Sequence, residues 1–478
     1  MSDEQVIVVG AGPVGLWLAG ELQLAGVSTL VLERAPERSP HAKALALHPR
    51  LLEILAMRGM EQPFLAAGRQ VPSWHFGMLP DRVDFRSLDT PFPFMLALPQ
   101  TRTEEFFHER ALEVGARVLR GHEVTALAQD DTSVTLEIAG PSGNYTRTAD
   151  FVVGCDGSRS VVRSAAGIEF PGTRATVFSV VADVTLDEPP EQLGSGWSNE
   201  GGTLIVVPIG GGRFRLAGYD AAQQEPGTEV TLDMVRDWSI RTAGTDFGLR
   251  DPLWLNRFGN ATRNAATYRR GRVMVAGDAA HIHFPAGGVG LNAGVQDAMN
   301  LGWKLAAVLQ NRAAPDLLDS YHAERHPVGA AIGASTLAQT ALITATTPEG
   351  QALRAVVSQW IATQPELSLT LALEMTALGL AYPAADEHPL TGTRAPADAE
   401  LFGLLRHGKP LLLNVSGEPL PTSSEFGAGL GIATHTHAGW KDVTAAIIRP
   451  DGHVWWATSD DDPDAAARQA LGNLGVRF

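Results

Sequence analysis

The chain has 478 residues, more than one hydrophobic core usually holds, so we expect two or three packed domains. A formal net charge of −16, from 53 acidic and 37 basic residues, makes nucleic acid and anionic membranes unfavourable partners. The single cysteine, Cys155, excludes an intrachain disulfide and a cysteine-rich metal site, and it fits a cytoplasmic location.

The first residues predict a strand, a tight glycine turn, a helix and a second strand. Residues 5–9 and 28–32 are continuous apolar runs, as buried parallel strands are, and residues 16–25 carry apolar side chains at helical spacing. The turn reads Gly10-Ala11-Gly12-Pro13-Val14-Gly15. Because the apolar stretch 6–27 contains five glycines, we interpret it as this βαβ unit and not as a signal or membrane segment.

Further along, strands and helices are predicted in blocks. Alternating apolar and polar residues at 118–154 predict a β-meander, and 173–251 is again strand-rich, which indicates a separate sheet. Residues 272–276 predict a strand, a glycine-rich loop follows, and helical sequence runs from 291 to about 380. Turn-forming residues dominate 387–400, and a small unit of strand, hairpin and closing helix comes after them.

Three glycines of the first turn have the chemistry that a pyrophosphate needs. Gly10 permits the tight turn, Gly12 leaves room for phosphates, and Gly15 lets the helix pack closely on the strand. The helix N-terminus adds free N–H groups and the positive end of a dipole. Glu33, at the end of the second strand, is placed to accept hydrogen bonds from ribose hydroxyls. The motif predicts a bound dinucleotide and leaves FAD or NAD open.

Two more predicted strands end in acidic residues. Asp156 follows the apolar run 152–154, and Asp278 follows 273–276. Open α/β sheets bind ligands at the carboxyl ends of their strands, so these acids extend the site beyond a pyrophosphate. The next loop, 285–292, reads Pro-Ala-Gly-Gly-Val-Gly-Leu-Asn and opens a helix whose N-terminus can stabilise negative charge.

With these three motifs at this spacing, the chain resembles the class A flavoprotein monooxygenases, the para-hydroxybenzoate hydroxylase-like group, and within it the aromatic polyketide hydroxylases and rifampicin monooxygenases. The resemblance implies an α/β fold with a Rossmann-like FAD-binding domain, a β-sheet substrate domain and a C-terminal thioredoxin-like domain that lacks a CxxC pair. The expected limits are 1–72, 98–172 and 260–386 for the FAD-binding domain, 73–97 and 173–259 for the substrate domain, 387–400 for a linker and 401–478 for the C-terminal domain.

The resemblance also implies a reaction. FAD would take electrons from NADPH, or NADH, that docks transiently, and a flavin C4a-hydroperoxide would insert one oxygen atom of O2 into an aromatic small molecule. No side chain is then required as a nucleophile. Hydroxylation of a polycyclic polyketide is expected. Two alternatives stay open: inactivation of a rifamycin- or tetracycline-type antibiotic, and a flavin-binding sensor or scaffold without turnover. The oligomeric state that we consider for this chain is a homodimer.

The resemblance carries over to individual residues of this sequence. Pro285, Gly287 and Gly288 are expected to position the flavin ring. Lys43 lies in Ala-Lys-Ala-Leu-Ala, where many relatives have Ser-Arg-Gly-Leu-Gly, and it keeps the charge of arginine without the planar fork. The residues expected to bind the cofactor are Gly10, Gly12, Pro13, Gly15, Glu33, Arg34, Lys43, Gln100, Asp156, Asp278, Pro285, Gly288, Gly290, Leu291 and Asn292.

For some other residues, the sequence is compatible with two different roles. His281 and His283 flank the glycine loop and could relay protons or be structural. No histidine pair is spaced with acids as metal ligands are, so no metal is expected. Five aromatic or apolar residues could line an aromatic pocket or pack in the core: Trp74, Phe76, Met78, Phe94 and Leu96.

Overall fold

The computed structural model of the chain describes residues 3–192, 194–384, 386–415, 429–437, 439–440 and 442–473. Its strands are β1 (Glu4–Val9), β2 (Thr29–Glu33), β3 (Ala46–Leu47), β4 (Arg69–Val71), β5 (Ser73–His75), β6 (Arg82–Asp84), β7 (Met95–Ala97), β8 (Arg117–Arg120), β9 (Glu123–Gln129), β10 (Val134–Gly140), β11 (Gly143–Gly154), β12 (Phe178–Leu186), β13 (Ser195–Asn199), β14 (Gly202–Gly210), β15 (Arg213–Asp220), β16 (Leu249–Gly259), β17 (Arg263–Asn264), β18 (Arg269–Arg270), β19 (Val273–Val275), β20 (His281–Ile282), β21 (Leu411–Asn414), β22 (Gly431–Thr434), β23 (Ala445–Ile448) and β24 (Val454–Thr458). Its α-helices are α1 (Pro13–Leu24), α2 (Pro49–Ala56), α3 (Glu61–Ala67), α4 (Gln100–Glu113), α5 (Val161–Ala165), α6 (Leu232–Ala243), α7 (Gly290–Leu309), α8 (Asp319–Ile343), α9 (Pro348–Thr363), α10 (Pro365–Thr376), α11 (Ala399–Leu404) and α12 (Pro463–Asn473).

The main sheet is built around the predicted βαβ unit. Its strands lie in the order β18-β19-β11-β1-β2-β8, and β1 pairs in parallel with both β2 and β11. β1 and β2 are almost wholly buried and rich in valine and leucine, as strands covered on both faces are. Pro13 begins α1, because its fixed φ suits the first helical position. Gly26, with φ of 81°, ends the helical segment, as the pattern predicts.

The predicted meander is confirmed. β9, β10 and β11 pair antiparallel in sequence, and the long strand β11 then runs between β1 and β19 in the main sheet. β11 therefore ends at the same edge of the sheet as β1, so Asp156, which follows β11, lies at the edge that carries the glycine turn.

A second, antiparallel sheet has the strand order β13-β14-β15-β12-β16. One side of it is covered by α6, a helix that the sequence analysis did not predict in this strand-rich region. The Thr231 hydroxyl caps α6 by accepting a hydrogen bond from Met234 N at 3.3 Å, and Gly244 ends it in the left-handed conformation. Both are local helix signals.

The C-terminal unit has a sheet in the order β22-β21-β23-β24, with α12 packed on it. Its β23–β24 turn packs against the helices of the first part of the chain. Arg449 forms an ion pair with Glu324 of α8 at 2.8 Å, and Arg50 of α2 donates to Asp451 O at 2.8 Å. Residues 416–428 and 474–478 of the predicted C-terminal domain lie outside the described residues.

The predicted α/β class is confirmed, with parallel and antiparallel sheets and a helical block from α7 to α10. Among the described residues, no helix is both long and apolar enough to span a membrane. The exact domain limits given by the sequence stay a prediction.

Candidate cofactor and substrate site

The glycine turn between β1 and α1 leaves an open position at Gly12. A Cβ atom added to Gly10 would lie 2.4 Å from Cys155 O, and one added to Gly15 would lie 2.0 Å from Gly10 O, so the fold itself requires these two glycines. Apart from its two chain neighbours, no atom of the described residues would lie within 4 Å of a Cβ atom on Gly12. Among the described residues no side chain caps α1, so its first free N–H groups stay available to an anion. The open space at Gly12 fits a pyrophosphate.

Glu33 ties the end of β2 to this turn. Its Oε2 accepts a hydrogen bond from Ala11 N at 2.8 Å, and its Oε1 accepts one from Ala35 N at 2.9 Å. The neighbouring Arg34 is exposed. A ribose hydroxyl that binds Glu33 therefore has to share its carboxylate with these two backbone groups.

The Asp-Gly turn after β11 lies against the glycine turn, where Cys155 N donates to Val9 O at 2.7 Å. Asp156 Oδ2 accepts a hydrogen bond from Val162 N at 3.2 Å. In the described part of the chain, Asp156 Oδ1 is buried without a hydrogen-bond partner. Burial raises the pKa of Asp156. An unpaired, buried carboxylate oxygen at this position fits a hydrogen-bond donor of a bound cofactor.

The Gly-Asp turn after β19 lies close to the start of α1. A Cβ atom on Gly277 would lie 2.9 Å from Val14 Cγ2, so the turn packs directly on the first helical turn. Asp278 is exposed there and accessible to hydroxyl groups. The structure thus brings the glycine turn, Asp156 and Asp278 together around the N-terminus of α1.

A buried ionic network holds the Gly-Asp turn from behind. Asp297 Oδ2 accepts from Gly277 N at 3.0 Å and lies 2.8 Å from His281 Nε2, and Asp297 Oδ1 accepts from Arg325 Nε at 2.7 Å. Burial raises the pKa of Asp297, but Arg325 and His281 outweigh it and hold the pKa below its usual value. Arg325 also donates to Tyr382 Oη at 3.3 Å. These contacts indicate that His281 has a structural role behind the Gly-Asp turn.

Two buried side chains hold the glycine loop between β20 and α7. Gly287 and Gly288 both have φ of 71°, which favours glycine. Asn292 Nδ2 donates to Gly288 O at 2.9 Å, and Asn292 Oδ1 accepts from His48 N at 2.8 Å. The His48 ring lies between two carbonyls, with Nε2 3.1 Å from Gly287 O and Nδ1 2.6 Å from Met375 O. His48 is a site residue that the sequence analysis did not find.

The remaining residues of the loop differ in exposure. Pro285 is exposed, and Gly290 begins α7. Leu291 is partly buried against the main core. His283 Nδ1 lies 2.8 Å from Phe284 O, and burial lowers the pKa of His283.

The segment after β2 that contains Lys43 is held from two sides. Gln100 Oε1 accepts from Ala44 N at 2.9 Å, and Gln100 N donates to Ala44 O at 2.9 Å. Arg215 of β15 donates to Lys43 O at 3.0 Å while it pairs with Asp183 Oδ1 at 2.7 Å. The Lys43 side chain is exposed. Arg215, which the sequence analysis did not single out, thus links the second sheet to this segment.

The five predicted pocket residues lie in three different apolar clusters. Met78 packs on a small cluster that includes the glycine loop. Trp74 and Phe76 are partly buried against a cluster with α9 and α10. Phe94 packs on the main core, and Leu96 is fully buried within it. Met78 alone of the five shares a cluster with the glycine loop.

The cluster around the glycine loop is the apolar part of the site. It joins the loop to β15 and β16 of the second sheet and to the end of α8, and three of its side chains are only partly buried. Its members are Phe284, Ala286, Ile343, Met78, Tyr219 and Phe258.

Two buried histidines predict a pH dependence of stability. Burial lowers the pKa of His48 and of His453 to about 4. Between about pH 6.5 and 4 the unfolded chain binds protons that the folded chain does not, so the free energy of unfolding should fall on acidification, by up to about 1.4 kcal/mol per pH unit for each histidine. Urea unfolding at pH 7, 6 and 5 measures this slope. His48→Gln removes one of the two groups, so it should reduce this slope by up to about 1.4 kcal/mol per pH unit. An unchanged slope would contradict the low pKa of His48.

Taken together, the open space at Gly12, the unpaired Asp156 Oδ1 and the exposed Asp278 carboxylate fit FAD. In the ranges that the structure describes, no three histidine, cysteine, aspartate or glutamate side chains come together as metal ligands.

Comparisons with known proteins agree with this geometry. Residues 3–336 match the family model of the FAD binding domain, and residues 385–474 match that of the aromatic-ring hydroxylase C-terminal domain. A 12-dehydrotetracycline 5-monooxygenase/anhydrotetracycline 6-monooxygenase of Streptomyces rimosus is 40% identical over 98% of this chain and 97% of its own. A rifampicin monooxygenase of Streptomyces venezuelae is 39% identical over 95% of this chain and 96% of its own. The solved structure of the OxyS anhydrotetracycline hydroxylase from Streptomyces rimosus has a TM-score of 0.87 and 39% identity, over 97% of this chain and 98% of that one.

The fold, the FAD cofactor and the enzyme class predicted from the sequence are confirmed by these matches. The roles of individual residues stay predictions. The chain belongs to the FAD-dependent aromatic-ring hydroxylases, the class A flavoprotein monooxygenases that insert oxygen into aromatic compounds with NADPH as the typical electron donor.

Proposed function

We propose that this hydroxylase acts on a polycyclic aromatic substrate of the polyketide type. The observation that carries the proposal is the aromatic cluster between the glycine loop and the second sheet, where the Phe258 and Phe284 ring centroids lie 5.5 Å apart. Apolar and aromatic side chains beside a few polar groups are typical of sites for flat ring systems. Relatives named for anhydrotetracycline and rifampicin support the same substrate class.

The residues of the site have separate roles in this proposal. Gly12 and the start of α1 hold the pyrophosphate, Glu33 binds the ribose, and Asp278 binds the ribityl chain. Asn292 and the loop that it fixes orient the flavin, and the N-terminus of α7 stabilises negative charge on the ring. Bound FAD supplies the oxygen-transfer chemistry, so this chain contributes binding, orientation and exclusion of water.

Biosynthetic hydroxylation and inactivation of an aromatic antibiotic are both compatible with this site, because they differ in the substrate and not in the cofactor chemistry. The flavin-binding sensor or scaffold remains the alternative without turnover. The homodimer, the cytoplasmic location and the choice of NADPH over NADH stay predictions.

The test is the absorbance spectrum of the purified protein, followed by NADPH oxidation with anhydrotetracycline, rifampicin and a panel of polycyclic phenols. We expect flavin bands, substrate-stimulated oxidation and a product that is heavier by one oxygen atom. Flavin without stimulation by any polycyclic phenol would favour the sensor. A protein that cannot be reconstituted with FAD would overturn the proposal.

Asp278→Ala is expected to weaken FAD binding because the ribityl hydroxyls lose a charge-assisted hydrogen bond. The expected loss is about 1.5–3 kcal/mol, which raises the dissociation constant about 10- to 150-fold. Titration of the FAD-free protein with FAD measures it. Asp131→Ala is the matched control, since Asp131 is also exposed but lies in the turn between β9 and β10. Equal FAD affinity in the two variants would count against the role of Asp278.

A further inference from the structure

The chain adopts an unusual turn between β5 and β6. Gly77 and Met78 have φ of 57° and 54° in succession. Positive φ is ordinary for glycine, but a residue with a long side chain adopts it rarely. The surrounding structure must therefore hold Met78 in this conformation, and a residue held in that way near a binding site is a candidate for a functional role.

A buried arginine of α9 holds the turn. The Arg354 guanidinium donates to Gly77 O at 3.1 Å, to Met78 O at 2.7 Å and to Leu342 O at 2.6 Å. Only 4% of Arg354 is exposed, and burial lowers its pKa. Within the described ranges no carboxylate lies at ion-pair distance from it. A buried guanidinium with only carbonyl partners is costly, and two of its three partners belong to the turn.

A second buried side chain connects the turn to the glycine loop. Gln339 of α8 accepts a hydrogen bond at Oε1 from Gly77 N at 3.2 Å. Its Nε2 lies 3.6 Å from the place where a Cβ atom of Gly287 would be. A Cβ atom on Gly77 would lie only 2.9 Å from Leu342 Cβ, so α8 leaves room for glycine alone. The turn and the loop thus pack on the same side chain.

The left-handed backbone conformation of Met78 determines the direction of its side chain. The side chain is partly buried and packs on the cluster formed by Phe284, Ala286 and Ile343, on which Tyr219 and Phe258 also pack. Methionine is unbranched and polarisable and makes favourable contacts with aromatic rings. A flat substrate that enters this cluster would meet the Met78 thioether directly.

We propose that Arg354 is a positioning residue that fixes Met78 in the left-handed conformation, so that the Met78 side chain forms one wall of the aromatic site and discriminates between ring systems of different width. This inference rests on the function proposed above. A wall of fixed position selects by shape, because a ring system that fits gains contact and a wider one clashes.

The test compares Met78→Ala, which removes the wall, with Arg354→Lys, which keeps the charge but loses the planar fork. Both variants and the wild type are loaded with FAD, and quenching of protein fluorescence gives their affinities for anhydrotetracycline and rifampicin. The ratio of the two affinities should change about tenfold in both variants, within the range expected for a few methylene-sized groups. Asn311→Gly is the matched control, because Asn311 also has a positive φ, of 56°, but lies past the far end of α7, a helix of roughly 30 Å. Its ratio should stay within about twofold of the wild type.

A second measurement does not depend on any substrate. Methyl labelling of the nine methionines, with the Met78 signal assigned through Met78→Leu, reports its environment by NMR. Arg354→Lys should move the Met78 signal, while Asn311→Gly should leave it in place. An unmoved Met78 signal, or an affinity ratio that stays within about twofold in both variants, overturns the inference. Wild-type protein that binds neither probe would count against the proposed function, and the methyl signal would then decide the inference alone.

Discussion

Gly12→Val should give a folded protein that no longer retains FAD. Within the described ranges, a Cβ atom at this position meets no atom within 4 Å beyond its chain neighbours, and φ of −75° with ψ of −179° is an extended conformation that valine tolerates. The branched side chain would then occupy the space that we propose for the phosphates. We expect the FAD dissociation constant to rise at least about 100-fold, or about 2.7 kcal/mol, and the free energy of unfolding without FAD to stay within about 0.5 kcal/mol.

Gly15→Ala is the contrasting variant. Its Cβ atom would lie 2.0 Å from Gly10 O, so the folded protein itself should lose about 1–3 kcal/mol, with or without FAD. Flavin absorbance after gel filtration and urea unfolding of the FAD-free proteins separate the two effects. Gly12→Val that purifies with the wild-type flavin content would refute the position of the pyrophosphate.

Arg325→Ala should be the most destabilising change in the network behind Asp278. The Arg325 and Asp297 side chains are 1% and 0% exposed, so the variant removes the guanidinium partner of a buried carboxylate and leaves it only His281. Loss of one partner of a buried pair costs about 3–5 kcal/mol, a large part of the stability of a folded protein. We expect weaker FAD binding as well, because Asp297 also accepts the hydrogen bond from Gly277 N.

Two comparisons test this reasoning. Arg86→Ala removes the partner of Asp84 from an exposed pair and should change the free energy of unfolding far less than Arg325→Ala does, because water screens exposed charges. Adding Asp297→Asn to Arg325→Ala removes the uncompensated charge and should recover part of the loss. Urea unfolding of the FAD-free proteins measures each difference. If Arg325→Ala costs no more than Arg86→Ala, the network does not stabilise the turn.

The elements predicted correctly from the sequence have local signals. The order of β1, α1 and β2 follows from apolar runs on either side of a glycine turn, and α7 follows from the glycine loop that opens it. α6 has such signals too, in Thr231 and Gly244, but the apolar alternation of the neighbouring segments predicts strands throughout this region. Local sequence patterns were thus sufficient to predict most strands of the main sheet.

The residues that the sequence analysis did not find act over long separations in the chain. His48 contacts Met375, 327 residues away, and Arg354 contacts Met78, 276 residues away. Periodicity and motif spacing contain no information on such pairs. Asp297 was detectable in principle, because a carboxylate on the buried face of an apolar helix requires a partner, but the sequence does not say that the partner is Arg325.

The packing of the β23–β24 turn limits how this gene can recombine with its relatives. A crossover in residues 386–398 would join Arg449 of one parent to Glu324 of the other. Where the parents differ at either position, the chimera would lose this buried ion pair, which would weaken the packing of the C-terminal unit on α8. The C-terminal unit should therefore be exchanged with the smallest loss of stability between parents that match at both positions.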